Sequence, residues 1–202
     1  MARTAIILVG SCDSPQRKDI LMIIHQTIIP DVLLFEPKRY EDDRGMFMET
    51  FRLSYFKERG LNFDFVQDNQ SRSKRGTLRG LHFQRINPQG KLVRVLAGEV
   101  FDVAVDIRKS SPTFGKWVGV YLSCENNKQL WVPPGFAHGF LVTSDSADLA
   151  YKCTDYYNSG DEFSLLWSDP DVAIDWPNLG RKPFLSAKDL KAHRLSEIPK
   201  FP

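Results

Sequence analysis

The sequence predicts an all-β domain closed into a sandwich or barrel, and three observations carry that expectation. From Met22 to Trp176 the dominant pattern is short β-type runs broken by turn residues, with no long stripe of 3.6-residue period. The run Glu99-Val-Phe-Asp-Val-Ala-Val-Asp106 mixes alternation with a continuous apolar centre, as a strand buried between two sheets would. About ten strands at this spacing would expose long edges in an open sheet, so closure is expected.

In chain order the candidate strands are Val32 to Phe35, Met46 to Phe51, Phe63 to Asn69, Leu92 to Leu96, Glu99 to Ile107 and Trp117 to Leu122. Gln129 to Val132, Gly139 to Thr143, Leu149 to Thr154 and Phe163 to Trp167 follow, and the stretch from Thr77 to Gln84 around His82 also reads as an apolar strand. Turn chemistry separates them at Asp43-Arg44-Gly45, Pro88-Gln89-Gly90, Ala97-Gly98, Glu125-Asn126-Asn127, Pro133-Pro134-Gly135 and Ser159-Gly160. Helix is scarce: a short one over Arg52 to Arg59 ended by Gly60, and one from the N-cap Ser186 toward Leu195.

The chain has 202 residues, 42% of them apolar and 12% aromatic, enough to fill a core and incompatible with disorder, collagen or coiled coil. Its 27 basic and 25 acidic side chains are spread without a basic block, so nucleic acid is not an expected partner. Cys12, Cys124 and Cys153 are odd in number and lack a C-x-x-C spacing, which argues against a disulfide framework or structural zinc and for a reducing, cytoplasmic location. No apolar run approaches the ~20 residues of a membrane span, so no membrane is expected either. Ala5 to Val9 before Gly10-Ser11-Cys12 imitates a lipoprotein signal, but the apolar stretch is too short. Residues 1–21 therefore read as an N-terminal extension, non-native or disordered, ahead of a single domain over 22–202.

Four histidines narrow the search for chemistry. His25 and His193 lie in polar settings and read as surface residues. His82 and His138 lie in apolar strands beside glycines, where an imidazole needs a partner or a task to offset its lost hydration. In Leu78-Arg79-Gly80-Leu81-His82 the period of two sends Arg79 and His82 to opposite faces. Either His82 is a core histidine beside an exposed arginine, or the strand is bulged at Gly80 so that both serve one cavity. Lys91 is a solvated strand end or a fixed cation facing a pocket, Tyr151 a core aromatic or a proton donor, and Glu49 a surface position within an apolar run. Pro133-x-Gly-x-x-His138 matches part of a metal-binding cupin box, but His82-Phe83-Gln84 offers glutamine where a second histidine is required. Two imidazoles without a third ligand fall short of a transition-metal site, so no metal is expected.

Larger blocks carry a resemblance. Phe35-Glu-Pro-Lys-Arg-Tyr-Glu-Asp-Asp-Arg44-Gly-Met-Phe-Met-Glu49, Phe65-Val-Gln67-Asp-Asn69-Gln-Ser-Arg-Ser, Leu78-Arg79-Gly-Leu-His82-Phe-Gln and Gln89-Gly-Lys91-Leu-Val-Arg-Val occur in order. Gly98-Glu-Val-Phe-Asp-Val-Ala-Val-Asp106, Trp131-Val-Pro-Pro-Gly-Phe-Ala-His138-Gly-Phe, Tyr151-Lys-Cys-Thr-Asp-Tyr-Tyr157 and Leu185-Ser-Ala-Lys-Asp189 follow, so the blocks extend from about Met22 to Asp189. Together they resemble the dTDP-4-dehydrorhamnose 3,5-epimerase family. The resemblance implies a cupin-like jelly-roll barrel, usually dimeric, acting without cofactor or metal on dTDP-4-dehydro-6-deoxy-D-glucose and inverting C3 and C5. By motif, His82 matches the general base, Asp189 its carboxylate partner, Tyr151 the general acid and Lys91 the cation beside the C4 oxygen. Arg44, Glu49, Gln67, Asn69, Arg79, His138, Glu162 and Lys188 match positions lining the nucleotide-sugar site. Relatives acting at one carbon, or on other dTDP-deoxysugars, share most of these motifs and form the alternative.

Overall fold

The computed structural model describes residues 21–58, 60–199 and 201. Its strands, in chain order, are β1 (Met22–Gln26), β2 (Leu33–Pro37), β3 (Arg39–Asp42), β4 (Gly45–Met48), β5 (Gln67–Lys74), β6 (Leu78–Gln84) and β7 (Lys91–Ala97). β8 (Glu99–Asp106), β9 (Trp117–Ser123), β10 (Gln129–Val132), β11 (Phe136–Val142), β12 (Ser146–Cys153) and β13 (Glu162–Ser164) complete the set. A six-stranded sheet ordered β1-β2-β10-β7-β12-β5 packs on a five-stranded sheet ordered β13-β6-β11-β8-β9, and β3 and β4 form a separate hairpin. The architecture is an all-β jelly-roll sandwich: the turn-punctuated pattern predicts an all-β sandwich or barrel, and the resemblance implies the jelly roll.

The period of two sorts each strand's side chains between layers. Val93 and Val95 of β7, Leu149 of β12, Val100 and Ala104 of β8, and Phe136 and Phe140 of β11 meet between the sheets. On the outer face of the five-stranded sheet, Leu81, Phe83, Phe101, Val103 and Val105 pack under Val172, Trp176, Leu195 and Ile198 of the C-terminal segment. β8 is thus buried on both faces, as its apolar centre predicts, but the second cover is the chain's own C-terminal segment and not a sheet.

Several boundaries differ from expectation, each for a tertiary reason. β5 begins at Gln67 and not Phe63, because Phe63 stacks on Trp131 at 4.0 Å in an aromatic cluster over the six-stranded sheet. β1 and β3 are strands that apolar patterning misses; β1 is an edge strand, and β3 is exposed throughout. The expected Met46 to Phe51 strand narrows to Gly45–Met48. The helix expected after Arg52 forms as α1 (Leu53–Lys57), whose Phe56 is fully buried against Phe35. The C-terminal helix does not form: Ser186 does cap Asp189, but only a 3₁₀ turn over Asp189–Lys191 follows. His193 is instead drawn into backbone hydrogen bonds with Ser164 and Leu166, and tertiary pairing overrides local propensity. The extension read over residues 1–21 lies, but for Leu21, outside the described residues.

One irregularity positions the site. His82 pairs with His138 and Arg79 with Phe140, so two residues of β6, Gly80 and Leu81, oppose the single Gly139 of β11. That extra residue is a β-bulge, and it reverses the alternation so that Arg79 and His82 share the inner face. Gly80 permits it, with φ at +113° and its Cα so near β11 that an added Cβ would lie 2.6 Å from Gly139 Cα and from the His138 carbonyl oxygen. Both neighbours are backbone and cannot rotate away. Gly80→Ala is expected to destabilise the fold by about 2–4 kcal/mol. Chemical denaturation would check this, and a loss within experimental error would refute the packing account.

Candidate active site

The inner faces of the two sheets open together onto a cavity of about 420 Å³. Arg79, His82 and His138 enter it from the five-stranded sheet, Lys91 and Tyr151 from the six-stranded sheet. Glu162, Lys188 and Asp189 close it from β13 and the C-terminal segment. Lys91 and Tyr151 share the inward register of Val93 and Leu149, so the alternation that builds the core also aims the chemistry.

His82 is held by Asp189, 2.6 Å from its Nε2. An ionised carboxylate can only accept, so Nε2 donates and Nδ1 is left with its lone pair. Asp189 is 2% exposed and is itself fixed by the Ser186 hydroxyl, which donates to Oδ2 at 2.7 Å. Burial pushes this carboxyl up the pH scale, but the hydrogen bonds from His82 and Ser186 outweigh burial and hold it below the usual carboxylate range. A depressed folded-state pKa stabilises the fold above the unfolded value near pH 4 and is lost as the pH falls through the folded value. Asp189→Asn should therefore flatten the acid limb of a Tm-against-pH curve below about pH 4. An unchanged limb would contradict the assignment.

Facing this dyad, Tyr151 has its phenol pushed up to about 12, mainly by burial, with Cys153 and Glu162 adding to the effect. The hydroxyl is thus a loaded acid at neutral pH. Lys91 is 8% exposed, and no carboxylate lies within ion-pair distance of its ammonium among the described residues. Burial pulls its pKa down, against the opposing fields of Cys153, Glu162 and Asp102. A dry ammonium of this kind favours developing negative charge on a bound oxygen more than it favours a neutral carbonyl.

His138 resolves as a partnered core histidine, its Nε2 lying 2.9 Å from Oδ1 of the fully buried Asp102. Gln84, at the would-be second cupin histidine, donates to the carbonyls of Asn87 and Tyr156 and accepts from the Asn158 amide, so it ties loops together. No group of three or more His, Cys, Asp or Glu able to hold a metal occurs among the described residues.

Four expected residues stand apart from this cavity within the chain. Gln67 and Asn69 share the inward face of β5, joined to each other at 3.1 Å and, through Asn69, to the Cys153 sulfur. Arg44 lies at the tip of the β3–β4 hairpin, 90% exposed and paired with Asp42, and Glu49 pairs with Arg52 at 2.6 Å. Neither reaches the hollow of His82, because the hairpin pairs with no other strand. Sequence reasoning missed Asp102, although a lone acid in the apolar core of β8 was its signal, and it missed Tyr157, whose hydroxyl donates to Glu162 at 2.7 Å.

A sandwich that sets a carboxylate-backed imidazole against a phenol and a dry ammonium defines a class, the jelly-roll acid–base isomerases that move protons on carbon beside a carbonyl. A family profile described as dTDP-4-dehydrorhamnose 3,5-epimerase matches residues 26–197, and the chain belongs to that family. It is 56% identical over 179 residues to the dTDP-4-dehydrorhamnose 3,5-epimerase of Salmonella typhimurium, with 88% of this chain and 97% of that one covered. The Neisseria gonorrhoeae relative of the same description is 55% identical across 89% of this chain, which spans only 54% of that longer protein. Among solved structures, the Legionella pneumophila epimerase in complex with dTDP-4-keto-L-rhamnose superposes with a TM-score of 0.86 at 57% identity, covering 88% of this chain and 95% of that one.

Proposed function

We propose that the chain epimerises dTDP-4-dehydro-6-deoxy-D-glucose at C3 and C5, giving dTDP-4-dehydro-L-rhamnose for L-rhamnose biosynthesis. The observation that carries this reading is the entry of His82 and Tyr151 into one cavity from opposing sheets, with Lys91 lining the same cavity. His82 removes the proton from carbon next to the C4 ketone through Nδ1, and Asp189 supports the imidazolium that results. Lys91 holds the enolate oxygen. Tyr151 returns a proton to the opposite face of the carbon, and inversion follows. Arg79 and Lys188 are cations suited to the diphosphate, and His138 adds a polar contact on the cavity wall. No cofactor or metal takes part in these steps.

The reading extends to a homodimer in the cytoplasm, with residues 22–202 as one domain. The β3–β4 hairpin is exposed, with Phe47 at 70% and Met46 at 51%. Laid against a second copy, it would bury these residues and carry Arg44 and Glu49 to the partner's nucleotide site, with Gln67 and Asn69 on the adjoining wall. A monomer by light scattering would contradict the dimer and leave the chemistry untouched. No helix among the described residues is long and apolar enough to cross a membrane.

Incubation with the substrate in deuterated water tests the reaction. Solvent deuterium at both C3 and C5 of the product is the expected result. Label at one carbon alone would replace the reading by a single-site epimerase.

A further inference from the structure

Double inversion sets one base a repeated task. Each removal and return leaves an imidazolium at His82 and a phenolate at Tyr151, so His82 must shed its proton before it can act on the second carbon. Nε2 is engaged by Asp189, so the proton to be shed is the one just taken onto Nδ1. The carboxylate facing Nδ1 is Glu162, with Oε1 3.9 Å away.

Glu162 stands where the cavity meets solvent. Its side chain is 15% exposed, and its other oxygen accepts a hydrogen bond from Tyr157, a residue 52% exposed. At 3.9 Å it does not lock the imidazole as Asp189 does, yet a small movement of the side chain closes the gap. Lys188 is ion-paired to the same Oε1 and keeps the carboxylate ionised. Burial pushes the Glu162 carboxyl up, but Lys188, Tyr157 and His82 together draw it below the usual range. A proton accepted here is therefore passed on to water and not retained.

We propose that Glu162 is the proton relay of the site, taking the proton from Nδ1 of the His82 imidazolium and releasing it to water beside Tyr157; this rests on the epimerase reading above. The N–H bond breaks as an O–H bond forms on Glu162, and that O–H bond breaks as water takes the proton. Neutral imidazole and free carboxylate are restored. Tyr151 regains its proton separately from solvent, so each inversion is balanced.

Glu162→Gln keeps the shape of the side chain and one of its two acceptor oxygens but cannot carry a proton at neutral pH. Rapid-quench labelling in deuterated water, with the variant first in excess and then in catalytic amount, separates the first deprotonation from those that follow. In the variant, later turnovers should fall about 10- to 100-fold below the first label per active site, a burst that the wild-type protein lacks. Imidazole added as a diffusible proton carrier should restore the slow phase. Equal slowing of first and later turnovers, an unchanged steady rate, or a slow phase indifferent to imidazole would each overturn the relay. An inert wild-type protein would instead remove the epimerase reading itself, so the two failures are distinguishable.

Discussion

His82→Asn should abolish deuterium incorporation at both C3 and C5 and lower kcat by about 10³- to 10⁴-fold. Asparagine preserves a polar, planar group near Asp189 but offers no basic nitrogen, so the proton on carbon has nowhere to go. Asp189 and Glu162 do not replace it: the first is 2% exposed behind the ring, and the second, held below the usual carboxylate range, is too weak a base to take a proton from carbon. Because Lys91 and Arg79 are untouched, substrate binding should be retained, and the loss should fall on kcat and not on KM. Exchange at either carbon near the wild-type rate would show that another base serves that position.

Tyr151→Phe separates the two halves of the reaction. The base remains, so a proton is still removed and the enolate still forms, and the imidazolium can return a deuteron to the same face. Inverted product should therefore appear at least about 10²-fold more slowly while solvent exchange into recovered substrate persists. The loss is chemical and not structural, since the ring stays in its inward register on β12 and the phenol, pushed up to about 12 by burial, is lost only as a proton source. Retained inversion would move the general acid elsewhere. Loss of exchange together with inversion would show that Tyr151 acts before the enolate forms.

Much of this was legible in the residues. Alternating short runs and turn dipeptides predicted the all-β sandwich, and the bulge that lets Arg79 and His82 share a cavity was signalled by Gly80 between them. The Ser186 cap was legible too, but the helix it promised was not, because His193 is held in extended pairing with Ser164 and Leu166. Phe63 and Phe65 read as strand residues and serve instead as cover over Trp131. A linear pattern shows that a side chain is apolar without showing which surface it will meet.

Residue type and order alone carried the all-β fold class and the blocks that resemble the family, and through that resemblance they implied His82, Tyr151 and Lys91 as base, acid and cation, since a motif is a matter of spacing along the chain. Only the folded molecule could decide that Asp189, 107 positions after His82 in the chain, sits behind its ring, that Asp102 partners His138, and that Arg44 and Glu49 stay outside their own chain's cavity. These are contacts between elements distant in sequence, set by sheet order and by what each face must bury, and no periodicity within a segment records them.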